Sequence, residues 1–193
     1  MKFLLILVTA LLCGLAVGEE PVRHRPANEA YLEPELNISF PADAGEFRKQ
    51  EVVRSLNPLI GTTIHYINPD GDCADIYIYS LPDVEKEISS SVAEAHFQSA
   101  KQAILTLPAR KEITLKKTEL VRERPLRIVS SGQTVFANGF SAEFRFVWAD
   151  KTEQYSLLQI IPYKEKIIKL RITCKKEAAG GFSAEILYHL TKK

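Results

Sequence analysis

The sequence has few of the residues that mark specialised classes of protein. Its 193 residues include three cysteines, nine glycines and ten prolines. These counts exclude a disulfide-dense scaffold and a collagen-like repeat, and a hydrophobic fraction of 46% excludes a disordered chain. The length fits one domain, or at most two very small ones.

The chain also lacks an excess of charge of either sign, with 25 basic and 24 acidic side chains. A protein that binds nucleic acid normally has a basic balance, so we expect no nucleic-acid partner. The most basic stretch contains glutamates between its basic residues, which are Arg110, Lys111, Lys116, Lys117, Arg122 and Arg124. This mixture of charges is typical of a solvated strand face, and a patch for an anionic ligand is the alternative.

The first 18 residues have the pattern of a secretory signal peptide. Lys2 precedes an apolar run over Phe3–Leu12, and small residues stand three and one positions before Glu19, where cleavage is expected. The run is shorter than the roughly 20 apolar residues that a membrane span needs, so we expect no span in the mature chain. A retained amino-terminal anchor and lipidation at Cys13 are the alternatives.

Beyond the signal segment the sequence keeps two cysteines, Cys73 and Cys174. Export places them in an oxidising compartment, where two cysteines usually pair, so a Cys73–Cys174 disulfide is predicted. Two buried free thiols are the alternative, and a catalytic cysteine lacks a partner histidine in any recognised motif. Neither cysteine has C-x-x-C spacing, so we expect no metal site.

The rest of the chain is organised as a polar leader and one domain. Residues 19–35 contain three prolines and few aliphatic residues, which indicates an exposed leader before a single α+β domain over residues 36–193. Within the domain, turn residues separate alternating segments, which is the pattern of antiparallel strands joined in hairpins. The predicted strands are Leu36–Phe40, Phe47–Leu56, Gly61–Ile67, Ala74–Leu81, Glu112–Arg122, Gln133–Ala149, Gln154–Tyr163 and Lys166–Cys174.

Two helices are expected on this sheet. The segment Asp83–Leu107 has apolar residues at intervals of three and four, with Asp83 as the amino-terminal cap and Pro108 as the stop. The segment Phe182–Leu190 has similar spacing and predicts a short carboxy-terminal helix. A helix with one apolar stripe must bury that stripe, and the sheet supplies the surface.

The sequence lacks the motifs of familiar catalytic sites. It has no G-x-S-x-G elbow and no glycine-rich phosphate-binding loop. His65, His96 and His189 belong to no H-x-x-x-H or H-x-E pattern, so structural or solvent-facing roles are favoured. We therefore expect neither an enzyme nor a cofactor. A deep polar cleft that joins His65 or His96 to carboxylates would instead indicate catalysis.

Tyrosines on the predicted strands are the candidates for a binding surface. Tyr77 and Tyr79 share one face of their strand, because side chains alternate between faces. Together with Tyr66 they either belong to the core or line a groove for a ligand or a partner.

Three segments carry a resemblance to a known family. They are Ile38-Ser39-Phe40-Pro41 in the first strand, Ala74-Asp75-Ile76-Tyr77-Ile78-Tyr79 in the fourth, and Lys169-Leu170-Arg171-Ile172-Thr173 in the last strand before the terminal helix. They resemble, in this order, the opening strand of periplasmic members, part of the early meander and the closing strand of the PsbP-like fold, which includes DcrB-like exported proteins of bacteria. The resemblance covers about residues 36–192. The resemblance implies an antiparallel sheet with helices on its faces, and a non-catalytic adaptor or binding module without catalytic residues to transfer.

The signal segment and this resemblance predict an exported binding or adaptor protein of the bacterial cell envelope. We expect it to be secreted or periplasmic, monomeric and non-catalytic, with another protein or a small ligand as its partner. The alternative is a carrier of a small molecule or lipid, with a cavity between the helix at 83–107 and the sheet.

Overall fold

The computed structural model describes residues 22–24, 28–84, 87–110, 113–130, 133–175 and 180–191, so the predicted signal peptide and Cys13 lie outside it. No helix of these residues is long and apolar enough to cross a membrane. The helices are α1 (Ser90–Leu105) and α2 (Gly180–Thr191), and a 3-10 turn covers Leu107–Ala109. The strands are β1 (Val22–His24), β2 (Tyr31–Glu33), β3 (Ile38–Phe40), β4 (Asp43–Ala44), β5 (Phe47–Arg54), β6 (Thr62–Ile67), β7 (Cys73–Ser80), β8 (Leu115–Ser130), β9 (Gln133–Trp148), β10 (Glu153–Tyr163) and β11 (Lys166–Cys174).

The main sheet is antiparallel and is assembled from two meanders. Its strand order is β1-β5-β6-β7-β11-β10-β9-β8, with β4 paired to β5, while β2 and β3 form a separate ribbon. The chain runs through β5, β6 and β7, crosses by way of α1, and returns through β8 to β11. The last strand therefore docks beside β7, with Lys169 opposite Tyr77 in the register. The predicted α+β class, with a central and a carboxy-terminal helix on an antiparallel sheet, is confirmed.

The two helices pack on opposite faces of the sheet. Phe97 of α1 is fully buried and stacks on Phe140 of β9 at a centroid distance of 5.4 Å. Phe182 of α2 packs edge-to-face with Tyr66 and Phe47, each at 5.1 Å. Strands between two helices need apolar residues on both faces, which explains why the central strands are apolar in both phases of their alternation.

Helix α1 is shorter than predicted. It begins after Ser89, whose hydroxyl accepts a hydrogen bond from the backbone N–H of Val92 at 3.3 Å. Asp83 has a φ of 61°, a left-handed conformation, so it belongs to the turn after Leu81 and not to a helix cap. The predicted helix included this turn because the spacing of apolar residues carries no information about a left-handed backbone conformation.

Strand β8 is longer than predicted, and the reason is its place at the sheet edge. The alternation of the sequence predicts a strand that ends at Arg122. The strand instead continues to Ser130, with Pro125 opposite Phe140 of β9. An edge strand tolerates proline and charge because one of its sides forms no ladder.

Part of the predicted leader is also structured. Val22–His24 pairs with β5, and Tyr31–Glu33 pairs with β3. Glu33 is only 2% exposed, and its carboxylate accepts a hydrogen bond from the Tyr31 hydroxyl at 3.1 Å. Segments this short lack a detectable alternation, so their polar composition indicated an exposed leader.

Candidate functional site

The structure separates the three predicted tyrosines. Tyr66 pairs with Ala74 of β7 and is fully buried, and its hydroxyl donates to the carbonyl of Pro41 at 2.8 Å. Tyr77 and Tyr79 lie at the other phase of β7, on the face that carries α1, where both are half-buried. Tyr66 is therefore a core residue under α2, and only Tyr77 and Tyr79 share a surface.

We call this surface the tyrosine face and define it by Tyr77, Tyr79, Lys169, His65 and Asp75. Each of these side chains is half-buried. Helix α1 packs chiefly against β8, β9 and β10. The part of the same sheet face that is formed by β5, β6, β7 and β11 therefore lies beside the helix and not beneath it, and the tyrosine face occupies this part.

A lysine organises the two tyrosines. The Nζ atom of Lys169 lies 4.5 Å from the ring centroid of Tyr77 and 5.9 Å from that of Tyr79. Both distances are within the range of cation–π attraction. The hydroxyl of Tyr79 is 2.6 Å from Nε2 of His96 on α1. Burial lowers the pKa of His96, and the positive charge of Lys169 lowers it further, so the imidazole is neutral at physiological pH.

A histidine–aspartate pair stands next to the tyrosines. Nδ1 of His65 on β6 lies 2.6 Å from Oδ1 of Asp75 on β7, and Oδ2 of the same carboxylate accepts a hydrogen bond from Tyr77 at 3.3 Å. Burial disfavours the imidazolium, but the hydrogen bond and charge of Asp75, with the charge of Glu51, outweigh it and raise the pKa of His65. A carboxylate that orients an imidazole in this way also occurs in acid–base catalysis.

The cysteine on this strand is not an activated nucleophile. Burial raises the pKa of the Cys73 thiol to about 11, and the carboxylates of Asp75 and Asp72 add to the effect. A reactive cysteine needs the opposite shift, toward the thiolate at neutral pH. Cys73 therefore does not supply a thiolate nucleophile beside the pair of His65 and Asp75.

The structure does not show the predicted disulfide, because it holds Cys73 and Cys174 as free thiols. In the register Cys73 lies opposite Thr173, one residue before Cys174. Neighbouring positions on a strand point to opposite faces, so Cys174 is buried under α2 while Cys73 lies on the face of α1. The prediction relied on the compartment and could not include this one-residue offset.

A cavity of about 380 Å³ lies on the opposite face of the sheet, between α2 and strands β8, β9 and β10. We call it the α2 cavity. Its lining includes Leu126, Leu157 and Leu187, together with the charged side chains of Arg122 and Arg124. Among the residues that the structure describes, no group of three or more His, Cys, Asp or Glu side chains could hold a metal ion.

Comparison with known proteins gives a similarity of fold only. No family model and no curated protein matches the chain. The solution structure of cyanobacterial PsbP from Synechocystis is similar to it, with a TM-score of 0.47, 12% identity, and coverage of 90% of this chain and 91% of that one. The extracellular domain of PknH from Mycobacterium tuberculosis has a TM-score of 0.36 and 11% identity, covering 98% of this chain and 92% of that one.

The resemblance to PsbP-like proteins that the sequence indicates is thus found as a weak similarity of fold. It assigns no role to any residue of this chain.

Sequence reasoning identified two of the five residues of the tyrosine face as a shared surface. The alternation of β7 placed Tyr77 and Tyr79 together. His65 was considered only by itself, and Lys169 and Asp75 appeared only within the segments that carry the resemblance. The pairing of β11 with β7 brings Lys169 to the tyrosines and Asp75 across 90 to 94 positions of the chain, and no local pattern encodes that pairing.

Proposed function

We propose that this protein is an exported, non-catalytic binding protein of the bacterial cell envelope that holds a partner protein against the tyrosine face. The observation that carries the proposal is the position of Lys169 over Tyr77 and Tyr79, on the part of the sheet beside α1. Tyrosine is enriched at protein interfaces because it combines a large apolar surface with a hydrogen-bonding hydroxyl.

The chemistry of the face favours binding over catalysis. The Tyr77 hydroxyl already donates to Asp75, and the Lys169 ammonium lies over both tyrosine rings, so these side chains form an ordered surface that a partner can meet with little loss of side-chain entropy. The protonated thiol of Cys73 supports the same conclusion. Export is supported by the pattern of residues 1–18, and the balanced charge of the chain favours a protein partner over nucleic acid.

Site-specific photocrosslinking in intact cells of the source organism tests the proposal. Tyr77 is replaced by p-benzoylphenylalanine in the full chain, which keeps an aromatic ring at the position. We expect one dominant adduct, which is lost when Lys169→Glu is added because a carboxylate then replaces the ammonium over the rings. Lys169→Met removes the charge but keeps an unbranched side chain that can cover the rings. A folded Lys169→Met protein that gives less adduct therefore shows a loss of binding and not a loss of folding.

The matched control is Tyr188 of α2, a tyrosine that is 56% exposed on the opposite side of the sheet. The same photoreactive residue at position 188 should not give the adduct. Identical adducts from both positions, or an adduct that survives Lys169→Glu, would overturn the proposal.

A second candidate function is that of a small-molecule or lipid carrier, which the α2 cavity favours. The cavity lies under α2 and not, as the sequence suggested, under the helix that follows residue 83. The space below α1 is occupied by fully buried side chains, including Ala93, Phe97 and Ile160. A volume of about 380 Å³ is within the range of natural ligand pockets.

A further inference from the structure

We infer that the α2 cavity takes a small amphipathic carboxylate, with its apolar part between the helix and the sheet and its carboxylate at Arg124. The inference rests on the second proposed function, whose ligand class it names, and it is independent of the tyrosine face on the other side of the sheet. Its basis is the combination of an apolar interior with an uncompensated positive charge at one wall.

The interior of the cavity is suited to a hydrocarbon chain or ring. Leu157 of β10 is buried beneath it, Leu126 of β8 is at its side, and Leu187 of α2 closes it from above. Two buried polar groups of the lining are paired with each other, because the Ser183 hydroxyl donates to Oε1 of Gln159 at 2.9 Å. An apolar ligand can therefore occupy the cavity without leaving either of these two groups unpaired.

The charged wall has more cations than anions. Nε and Nη2 of Arg122 donate to Oε1 and Oε2 of Glu143 at 3.2 and 2.9 Å, a bidentate contact. Arg124 reaches the same carboxylate only at 3.8 Å, and its side chain is 54% exposed. Glu143 is thus committed to Arg122, and the guanidinium of Arg124 is left with a weak contact.

This arrangement selects the charge of the ligand. One carboxylate between two guanidinium groups leaves a net positive charge of about one at the wall, which complements a monoanion. A guanidinium binds a carboxylate through two parallel hydrogen bonds, so Arg124 offers such a head group a geometry that Arg122 already makes with Glu143. A neutral alcohol or a cationic amphiphile of equal length lacks that contact.

The experiment measures binding of three probes of equal chain length to the full chain without its signal segment. Decanoate, decanol and decyltrimethylammonium compete with the fluorescent dye 1-anilinonaphthalene-8-sulfonate, and calorimetry gives the stoichiometry. We expect decanoate to bind one to one and about fivefold more tightly than decanol, the effect of one partly exposed ion pair. The ammonium probe should be weakest.

Charge variants give shifts of opposite sign. Arg124→Gln should weaken decanoate binding by about threefold to fivefold, and Glu143→Gln should strengthen it by a similar factor, because each changes the net charge of the wall by one. Arg48→Gln is the control, since Arg48 is another exposed arginine and pairs with Asp43 on β4. It should leave decanoate affinity unchanged.

A pair of adjacent tryptophan substitutions locates the site. Leu187→Trp fills the cavity and should abolish binding of both decanoate and the dye, whereas Tyr188→Trp, at an exposed position, should not. Equal affinities for decanoate and decanol would overturn the ligand class and leave the carrier function standing. Failure of every probe to bind would overturn the carrier function as well.

Discussion

Nδ1 of His65 lies 2.6 Å from Oδ1 of Asp75 across the β6–β7 pair. The contact joins two half-buried side chains, with 20% and 17% of their surfaces exposed. Because the carboxylate stabilises the imidazolium against the cost of burial, it raises the pKa of His65 above its ordinary value.

Asp75→Asn should therefore lower the pKa of His65, because burial remains while the hydrogen bond to a charged partner is lost. Nuclear magnetic resonance titration of the imidazole protons measures this directly. The pKa of His96 serves as the internal control, since it depends on burial and on Lys169 and should not move. An unchanged pKa of His65 would contradict the prediction.

The same substitution should have a pH-dependent effect on stability. A raised folded-state pKa stabilises the fold fully below the ordinary value of 6.5, and the contribution disappears as pH rises through the raised value. The difference in unfolding free energy between the wild type and Asp75→Asn should therefore be largest in mild acid and smaller at alkaline pH. Urea denaturation at both extremes measures it.

The contact between Tyr79 and His96 ties the tyrosine face to α1. Tyr79→Phe removes the hydroxyl that lies 2.6 Å from Nε2 of His96 and keeps the ring, so we expect a loss of about 1 kcal/mol in the free energy of unfolding. Tyr77→Phe is the matched control, because its hydrogen bond to Asp75 is longer, at 3.3 Å, and should be worth less. Equal losses of unfolding free energy in the two variants would contradict the prediction that the contact with His96 contributes more.

Two glycines with positive φ should respond differently to alanine. Gly61 has a φ of 65°, and a β-carbon there would overlap the carbonyl oxygen of Ile78. Gly71 has a φ of 78° with no atom within 4 Å of the added carbon. Gly71→Ala should cost about 1 kcal/mol from backbone strain alone, and Gly61→Ala substantially more, because the β6–β7 ladder must also shift.

Thermal or urea unfolding of both variants measures these costs. Similar stabilities for the two would mean that the carbonyl of Ile78 moves aside without penalty.

The two cysteines should behave as inert thiols. Burial raises the pKa of Cys73 to about 11 and that of Cys174 to about 12, so iodoacetamide should modify neither rapidly at neutral pH in the folded protein. In denaturant without reductant both should react completely, and mass spectrometry of the intact protein counts the labels. Labelling that requires prior reduction would show that the cysteines are paired.

The buried serines Ser141 of β9 and Ser156 of β10 should contribute differently to the stability of the fold. Ser141 is 1% exposed, and its Oγ has no hydrogen-bond partner among the residues that the structure describes. Ser141→Ala should therefore be neutral or slightly stabilising, because an unpaired polar atom leaves the interior. Ser156→Ala is the control, since its hydroxyl lies 3.3 Å from that of Thr173 and its loss should cost stability. A clear destabilisation by Ser141→Ala in urea would contradict this account.

The amino-acid sequence by itself determined the elements and their class. The alternation in Lys166–Cys174 and the apolar spacing in Asp83–Leu107 depend on neighbouring residues, so strand β11 and helix α1 could be predicted from local pattern. The same pattern placed Tyr77 and Tyr79 on one face. Local rules predicted less well where position in the sheet overrides composition, as at Pro125 on the edge strand, or where handedness decides, as at Asp83.

Only the tertiary structure decided which surfaces exist. The register that sets Lys169 over Tyr77, moves Cys73 and Cys174 to opposite faces and sends Tyr66 into the core arises from pairing between distant strands. A shift of one residue in that pairing would exchange the faces, and no feature within a single strand specifies it. The α2 cavity likewise depends on the packing of α2 on the sheet, because a packing gap is a property of the two surfaces together and not of either one alone.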